Sequence, residues 1–266
     1  MTQRLATTFA ILMALLAALF LLAPLLVIVA TSFSPTPVFD LPSGGLSTRW
    51  YERITRLDGF WPALYLTLEV ALISTAAALL LGTLAAIGIQ RGKLPGADLV
   101  AALLVSPLML PGLVIGIALL QFFRGAGLTA AHPALLLAHL IITLPFVART
   151  MLAGLSRFDF TLIDAARCLG CNFPQAVVKV MVPALAPSFF TAGFFAFLAS
   201  FDNYPISIFL TDARTKTLPI KMLQYIEEAP DPTLAALSSL ILGATLLLLL
   251  LGDRLVGLNR MAGTGD

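Results

Sequence analysis

Asp164-Ala165-Ala166-Arg167-Cys168-Leu169-Gly170, followed nine residues later by Val180-Met181-Val182-Pro183, is a charged, turn-containing stretch in an otherwise apolar chain. The runs that flank it are uncharged and long. The stretch therefore reads as an aqueous insert between two membrane spans, and what surrounds it sets the fold class.

Hydrophobic residues make up 59% of the 266 positions and charged residues only 11%. That is too little polar surface to clothe a water-soluble domain of this length, so the solvent is lipid. At about 20 apolar residues per span plus a connection, the chain holds about six spans. Uncharged runs extend from Phe9 past Ala30, from Ala63 to Gln90 with only Glu69 interrupting, and from Leu99 to Phe123. Others cover Pro133 to Ala148, Pro183 to Leu210 with Asp202 inside, and Thr233 to Gly252, which carries six consecutive leucines, Leu246 to Leu251. In lipid the backbone must be satisfied within each segment, and these runs are too long and too unalternating for barrel strands. The expectation is an all-α membrane protein with six transmembrane helices in a single domain, 1–266. Its first helix is expected at about 8–31, its core helices within about 62–252 and the aqueous elbow at about 155–183. The first run is read as a span and not as a secretory signal, because its apolar core exceeds the usual length of about 7–15 residues.

Basic residues flanking the spans suggest orientation. Arg4, Arg91, Lys93, Arg149, Arg157, Arg167, Lys179, Arg254 and Arg260 fall on one side, nine in all, against seven on the other. The richer side is expected to be cytoplasmic, with both termini on it. A net charge of +2, spread at span ends, gives no basic field, so nucleic acid is not expected as a partner. Cys168 and Cys171 form a C-x-x-C pair, but no second pair accompanies them, and His132 and His139 lie in distant segments. They read as small residues filling a turn, with no metal expected.

The insert predicts two short helices. The first runs from Thr161 to Leu169 and ends at Gly170 as a left-handed terminator. The second starts at Asn172 as N-cap, with Pro174 in the first turn and Gln175 positioned for a variant of the capping box. Such an elbow would present Asp164 to Leu169 broadside, with Ala165 and Ala166 allowing close approach by another protein. The alternative is an amphipathic loop lying on headgroups.

Within the spans, Asp202 is the costly residue, at about 2.5–3.5 kcal/mol for a carboxylate in the bilayer, and such a group usually faces a polar interior. Asn203 and Tyr204 add hydrogen-bonding groups beside it, and Pro205 breaks the helix, a combination suited to a solute path. Asp202 is otherwise a cap or a tether between helices. Glu69 is a second candidate counter-charge, or else belongs to the headgroup belt with Trp61 and Tyr65. His139 reads as an interhelical hydrogen-bonding residue. Gly112-x-x-x-Gly116 and Ala78-x-x-x-Gly82 offer small faces for close packing. The proline- and glycine-containing segment 35–62, with Trp50-Tyr51, is expected along the outer membrane surface, where it would meet a binding protein.

Asp164-Ala165-Ala166, three residues, Gly170, nine residues, then Val180-Met181-Val182-Pro183 resembles the E-A-A…G…I-x-L-P cytoplasmic signature of permease subunits in binding-protein-dependent ABC importers. It departs from that signature by Asp for Glu, Val for Ile and Val for Leu. Ser200-Phe201-Asp202-Asn203-Tyr204-Pro205, Thr217-Leu218-Pro219-Ile220 and Asp231-Pro232-Thr233-Leu234-Ala235-Ala236 resemble the second permease of spermidine/putrescine importers. Relatives carrying other small organic solutes share similar text.

The resemblance implies a type I importer permease (MetI-like) bundle in the bacterial inner membrane, with a coupling helix between helices 4 and 5. Asp164, Ala165, Ala166, Leu169, Gly170 and Pro183 would couple it to the ATPase. Asp202, Asn203, Tyr204 and Glu69 would line the substrate path, Asp202 attracting an ammonium group and Tyr204 offering a cation–π face. The implied partners are two ATPase subunits holding ATP and magnesium, a second, homologous permease and a periplasmic solute-binding protein. No cofactor is expected on this chain itself. Consistent with that division of labour, no phosphate-binding G-x-x-x-x-G-K-[ST] occurs, since Gly92-Lys93 lacks the upstream glycine and the following hydroxyl. The rivals are a self-sufficient secondary transporter and an intramembrane enzyme. The first normally shows internal repeats and the second a nucleophile–base or metal constellation, and neither pattern is found.

Overall fold

Long apolar runs become helices, and prolines decide where those helices break. A computed structural model of the chain describes residues 2–42, 44–92 and 95–256. Two of the basic residues counted for orientation, Lys93 and Arg260, lie outside the described residues. In chain order come α1 (Thr2–Thr31), α2 (Arg49–Ile54), α3 (Phe60–Arg91), α4 (Ala97–Val105), a 3-10 turn (Ser106–Met109), α5 (Gly112–Gly125) and α6 (Ala131–Leu155). Then follow α7 (Thr161–Cys168), α8 (Phe173–Ala176), a π-helical turn (Val177–Met181), α9 (Val182–Ala184), α10 (Ala186–Phe201), α11 (Ser207–Leu210), α12 (Leu218–Glu228) and α13 (Thr233–Val256). No strand occurs among the described residues.

Four helices among the described residues are long and apolar enough to cross a bilayer: Ala6–Thr31, Phe60–Arg91, Ala131–Leu155 and Thr233–Arg254. Two further candidates are bent pairs, Ala97–Met109 with Gly112–Gly125 at 107° and Phe173–Ala184 with Ala186–Phe201 at 80°. Taking each pair as one crossing gives the expected six.

The straight third helix expected from Leu99 to Phe123 is thus corrected to a broken one. Pro111 cannot donate a backbone hydrogen bond and pushes the residue before it into extended geometry, and Leu110 sits at φ −96°, ψ 143°. The fifth run also differs from its expected bounds, Pro183 to Leu210. It begins at Phe173, turns at Leu185 between Pro183 and Pro187, and ends at Phe201. Because Pro183 has no N–H, the carbonyl of Lys179 loses its helical partner, and the preceding turn widens so that Val182 N–H reaches Val177 O.

The chain forms two compact units. Met1–Phe60 with Met222–Leu248 makes one, and Trp61–Lys221 with Leu249–Asp266 the other. In the first, α1 is exposed along its apolar length, as suits a lipid-facing helix. The loop around α2 is tied down by polar contacts. Trp50 Nε1 donates to Ser34 O at 2.7 Å, and the Tyr51 hydroxyl meets Ser32 Oγ at 2.7 Å and Ser239 Oγ at 2.9 Å. Arg53 pairs with the nearly buried Asp231 at 3.0 Å, and Asp231 also accepts from Tyr225 and from the Thr233 N–H that opens α13. Trp50 is therefore a buried anchor.

The second unit contains the elbow and the polar break. Its interior is rich in fully buried alanines, Ala78, Ala86, Ala148, Ala192 and Ala196, where α3, α6 and α10 approach closely. Lipid removes the hydrophobic drive for helix association, so small residues that permit van der Waals contact take its place. Gly116 is the tightest case between α5 and the α11 segment. A Cβ there would lie 2.6 Å from Phe209 Cδ2 and 3.0 Å from Pro205 O. Gly116→Val is expected to destabilise the protein by about 1–3 kcal/mol through overpacking, read as a lower thermal midpoint in detergent.

Candidate functional site

The elbow is built from local signals at both ends of α7. Thr161 N–H donates to Asp159 Oδ1 at 2.9 Å, which holds the Asp159 carboxyl below its ordinary value. This hydrogen bond is present above the usual carboxylate range and is lost as pH falls through the lowered value. At the other end Gly170 adopts φ +95°. Its N–H reaches Arg167 O at 3.0 Å, and Cys171 N–H reaches Ala166 O at 3.1 Å. These two bonds form a Schellman turn, which satisfies carbonyls that the helix end leaves free. The capping box expected at the next helix is also present, with Gln175 N–H donating to Asn172 Oδ1 at 2.9 Å and Asn172 N–H to Gln175 Oε1 at 3.0 Å.

One face of α7 is anchored and the other free. Ile163 is fully buried in the cluster with Met151, Leu155 and Met181, removing apolar surface worth about 1.5–3 kcal/mol for a side chain of its size. Leu162, Asp164 and Ala165 are exposed, and Leu169 is 88% exposed. Ala166 packs against the core cluster, and Pro183 is exposed beyond the π-helical turn. Cys168 and Cys171 are free thiols at the turn, and no cluster with metal-holding composition exists among the described residues.

Arg91, the last residue of α3, counted in the sequence only toward orientation. Its Nη2 pairs with Asp164 Oδ1 at 2.8 Å, while its guanidinium carbon lies 4.9 Å from the Phe173 ring centroid and 6.0 Å from that of Phe160. Asp164 is more than half exposed, so as a stabilising pair this contributes at most about 1 kcal/mol.

The polar break begins where α10 ends. Asp202 is the C-cap of α10 and exposed, so it stands at the mouth of the break and not inside a continuous helix. Its carboxylate lies at the negative end of the α10 dipole, a position that favours cations nearby. Asn203 turns its side chain to the backbone, accepting from Ile206 N–H at 3.1 Å, and so leads the chain into α11. Tyr204 is half-buried in the same turn.

His139 pins both sides of this break. From α6 its Nδ1 meets Ser200 Oγ at 2.7 Å and its Nε2 meets Ser207 Oγ at 3.0 Å, the first serine ending α10 and the second opening α11. The Ser207 hydroxyl donates to Asn203 O. That use of its hydrogen assigns the imidazole N–H to Nε2 and leaves Nδ1 of the neutral ring to accept from Ser200. The interhelical role expected of His139 is met, but its partners were not legible, because Ser207 becomes a neighbour of Ser200 only once the helix breaks. His139→Leu is expected to cost about 1–3 kcal/mol by orphaning a buried hydroxyl, measured by thermal unfolding.

Glu69 lies apart from the Asp202 turn in its contacts. It is half exposed and pairs with His132 Nε2 at 3.2 Å, at the start of α6. Trp61 and Tyr65 stand close together on the same helix, with ring centroids 6.4 Å apart. α10 joins the elbow to the break as one rod of 16 residues, about 24 Å long at 1.5 Å per residue.

Residues 78–259 match the family described as binding-protein-dependent transport system inner membrane component. The spermidine/putrescine transport system permease protein PotC of Escherichia coli is 27% identical over 247 residues, 93% of each chain. The putrescine transport system permease protein PotI of the same organism is 30% identical over 232 residues, 85% of this chain and 82% of that one. Among solved structures, a bacterial ABC transporter involved in the import of the acidic polysaccharide alginate superposes with a TM-score of 0.74 at 14% identity, covering 95% of this chain and 97% of its own. The MetNI methionine ABC transporter gives 0.57 at 19% identity, with 79% and 98% covered. The elbow motif, the all-helical fold with two bent spans and the family match over most of the sequence agree: the chain belongs to the binding-protein-dependent transport system inner membrane components, the multi-pass permease subunits of ABC importers.

Proposed function

We propose that this permease imports a polyamine of the spermidine or putrescine type. The similarity to PotC and PotI across most of the chain carries the reading. A sulfoquinovosyl glycerol permease, SmoH of Agrobacterium fabrum, is 28% identical but over 73% of this chain, so the polyamine relatives match more of it. The chemistry at the break fits a cation. The Asp202 carboxylate and the carbonyl end of α10 together attract an ammonium, and Tyr204 adds an aromatic face beside them. Asn203 shapes the turn, and Glu69 forms a separate acidic point near His132.

The driving force comes from outside this chain. Two ATPase subunits, holding ATP and magnesium, dock on the exposed face of α7 through Asp164, Ala165 and Leu169, with Ala166 backing that face against the core and Gly170 and Pro183 setting the elbow's shape. A second, homologous permease completes the path, and a periplasmic binding protein delivers the solute. Both termini and the elbow face the cytoplasm. Reconstitution of the complex in proteoliposomes with its binding protein tests this reading: ATP-dependent uptake of labelled putrescine or spermidine is expected. Stimulation by a sugar glycerol and not by either polyamine would overturn it.

A further inference from the structure

We infer that Arg91 is a positioning residue for transport, the strut through which movement of the elbow reaches the end of α3. The inference rests on the elbow being the ATPase dock. Its foundation is a single guanidinium that touches both arms of the elbow, Asp164 on α7 at 2.8 Å and the Phe173 ring on α8 at 4.9 Å, with Phe160 at the start of α7 on its other flank.

The aromatic rings beside the guanidinium explain a second observation. Nη1 of Arg91 is buried without a hydrogen-bond partner. An N–H left without an acceptor is tolerated where the cation lies over an aromatic face, because the ring's negative π surface replaces the missing oxygen. A lysine ammonium would keep the charge but lacks the spread of N–H groups that lets one side chain reach Asp164 and the Phe173 ring together.

Connectivity makes the contact consequential. α10 follows the elbow through the covalent chain at Leu185, so it moves whenever the elbow moves. α3 has no such link, since 73 residues separate Arg91 from Asp164. Yet α3 reaches the rest of its unit through polar contacts: Thr67 Oγ1 accepts from the Leu218 N–H that opens α12 at 2.7 Å, and Ser74 Oγ donates to Leu136 O of α6 at 3.2 Å. An elbow that pulls on Arg91 therefore displaces α3 together with α10. Without the strut α3 follows only through its apolar packing, in the cluster where Ala86 and Ile87 meet Ile163 and Ala176.

The test uses the assembled complex carrying wild-type chain, Arg91→Ala, Arg91→Lys or Phe173→Ala, with three readouts: ATPase retained on co-purification, basal ATP hydrolysis, and solute imported per ATP hydrolysed. Arg91→Ala is expected to retain the ATPase and basal hydrolysis while solute per ATP falls about fivefold or more. Arg91→Lys should fall between it and wild type. Phe173→Ala should lower the ratio and add little when combined with Arg91→Ala, because both remove the same cation–π contact. An unchanged ratio in Arg91→Lys and Arg91→Ala overturns the inference, as does a loss of transport that only tracks lost ATPase. If Arg91→Ala fails to assemble, Arg91→Lys decides by the same criterion. A wild-type chain that retains no ATPase contradicts the reading of the elbow itself.

Discussion

Gly170→Val is expected to release the ATPase from the complex while leaving the membrane spans inserted. Gly170 holds φ +95°, where an L side chain is strained, and a β-branched residue more than most. A Cβ at this position meets nothing within 4 Å, so the effect is conformational and not a clash. Forcing the left-handed geometry costs about 1–2 kcal/mol or more, and escaping it breaks the bonds from Gly170 and Cys171 to the end of α7. α7 has eight residues and cannot persist on propensity alone, so it depends on its caps and on Ile163. Gly170→Asn, which tolerates this region better, should retain part of the ATPase. Co-purification with tagged ATPase and a membrane-extraction control make the measurement. A valine variant that binds ATPase like wild type would separate the turn from docking.

Asp202→Asn is expected to reduce polyamine uptake by about tenfold or more, equivalent to about 1.4 kcal/mol or more, with little effect on assembly. The substitution keeps size and removes charge. Asp202 caps α10 on its exposed side and is not among the groups holding the break together, which are His139, Ser200, Ser207 and the Asn203 side chain. Its loss should therefore be felt by a cation more than by the fold. Glu69→Gln is the control, because Glu69 is engaged with His132 and should have the smaller effect. Uptake kinetics alongside the yield of assembled complex decide the matter, and equal losses in both would make Asp202 a structural cap.

The elbow was the most legible part of the molecule. Gly170, the Asn172–Gln175 pair and Pro174 act within one or two turns of themselves, so residue types at fixed offsets predict their geometry without knowledge of the rest of the chain. The helix breaks were half legible. Pro205 announced an interruption, but hydropathy averages over a run, and the stretch from Leu99 to Phe123 reads as one helix although its halves meet at 107° around Pro111. The Arg91 strut gave no signal beyond a positive charge near a span end, since its ion-pair partner lies 73 residues away and its aromatic partners, Phe160 and Phe173, are comparably distant.

The sequence by itself determined the helical class, the membrane as solvent, the elbow and its caps, because composition and short-range backbone chemistry act without reference to distant residues. Only the tertiary structure decided that His139 bridges Ser200 and Ser207, that Gly116 receives Pro205 and Phe209, and that Arg91 grips both arms of the elbow. Each of these joins side chains far apart along the chain, and such neighbours are chosen by how helices pack and where they bend.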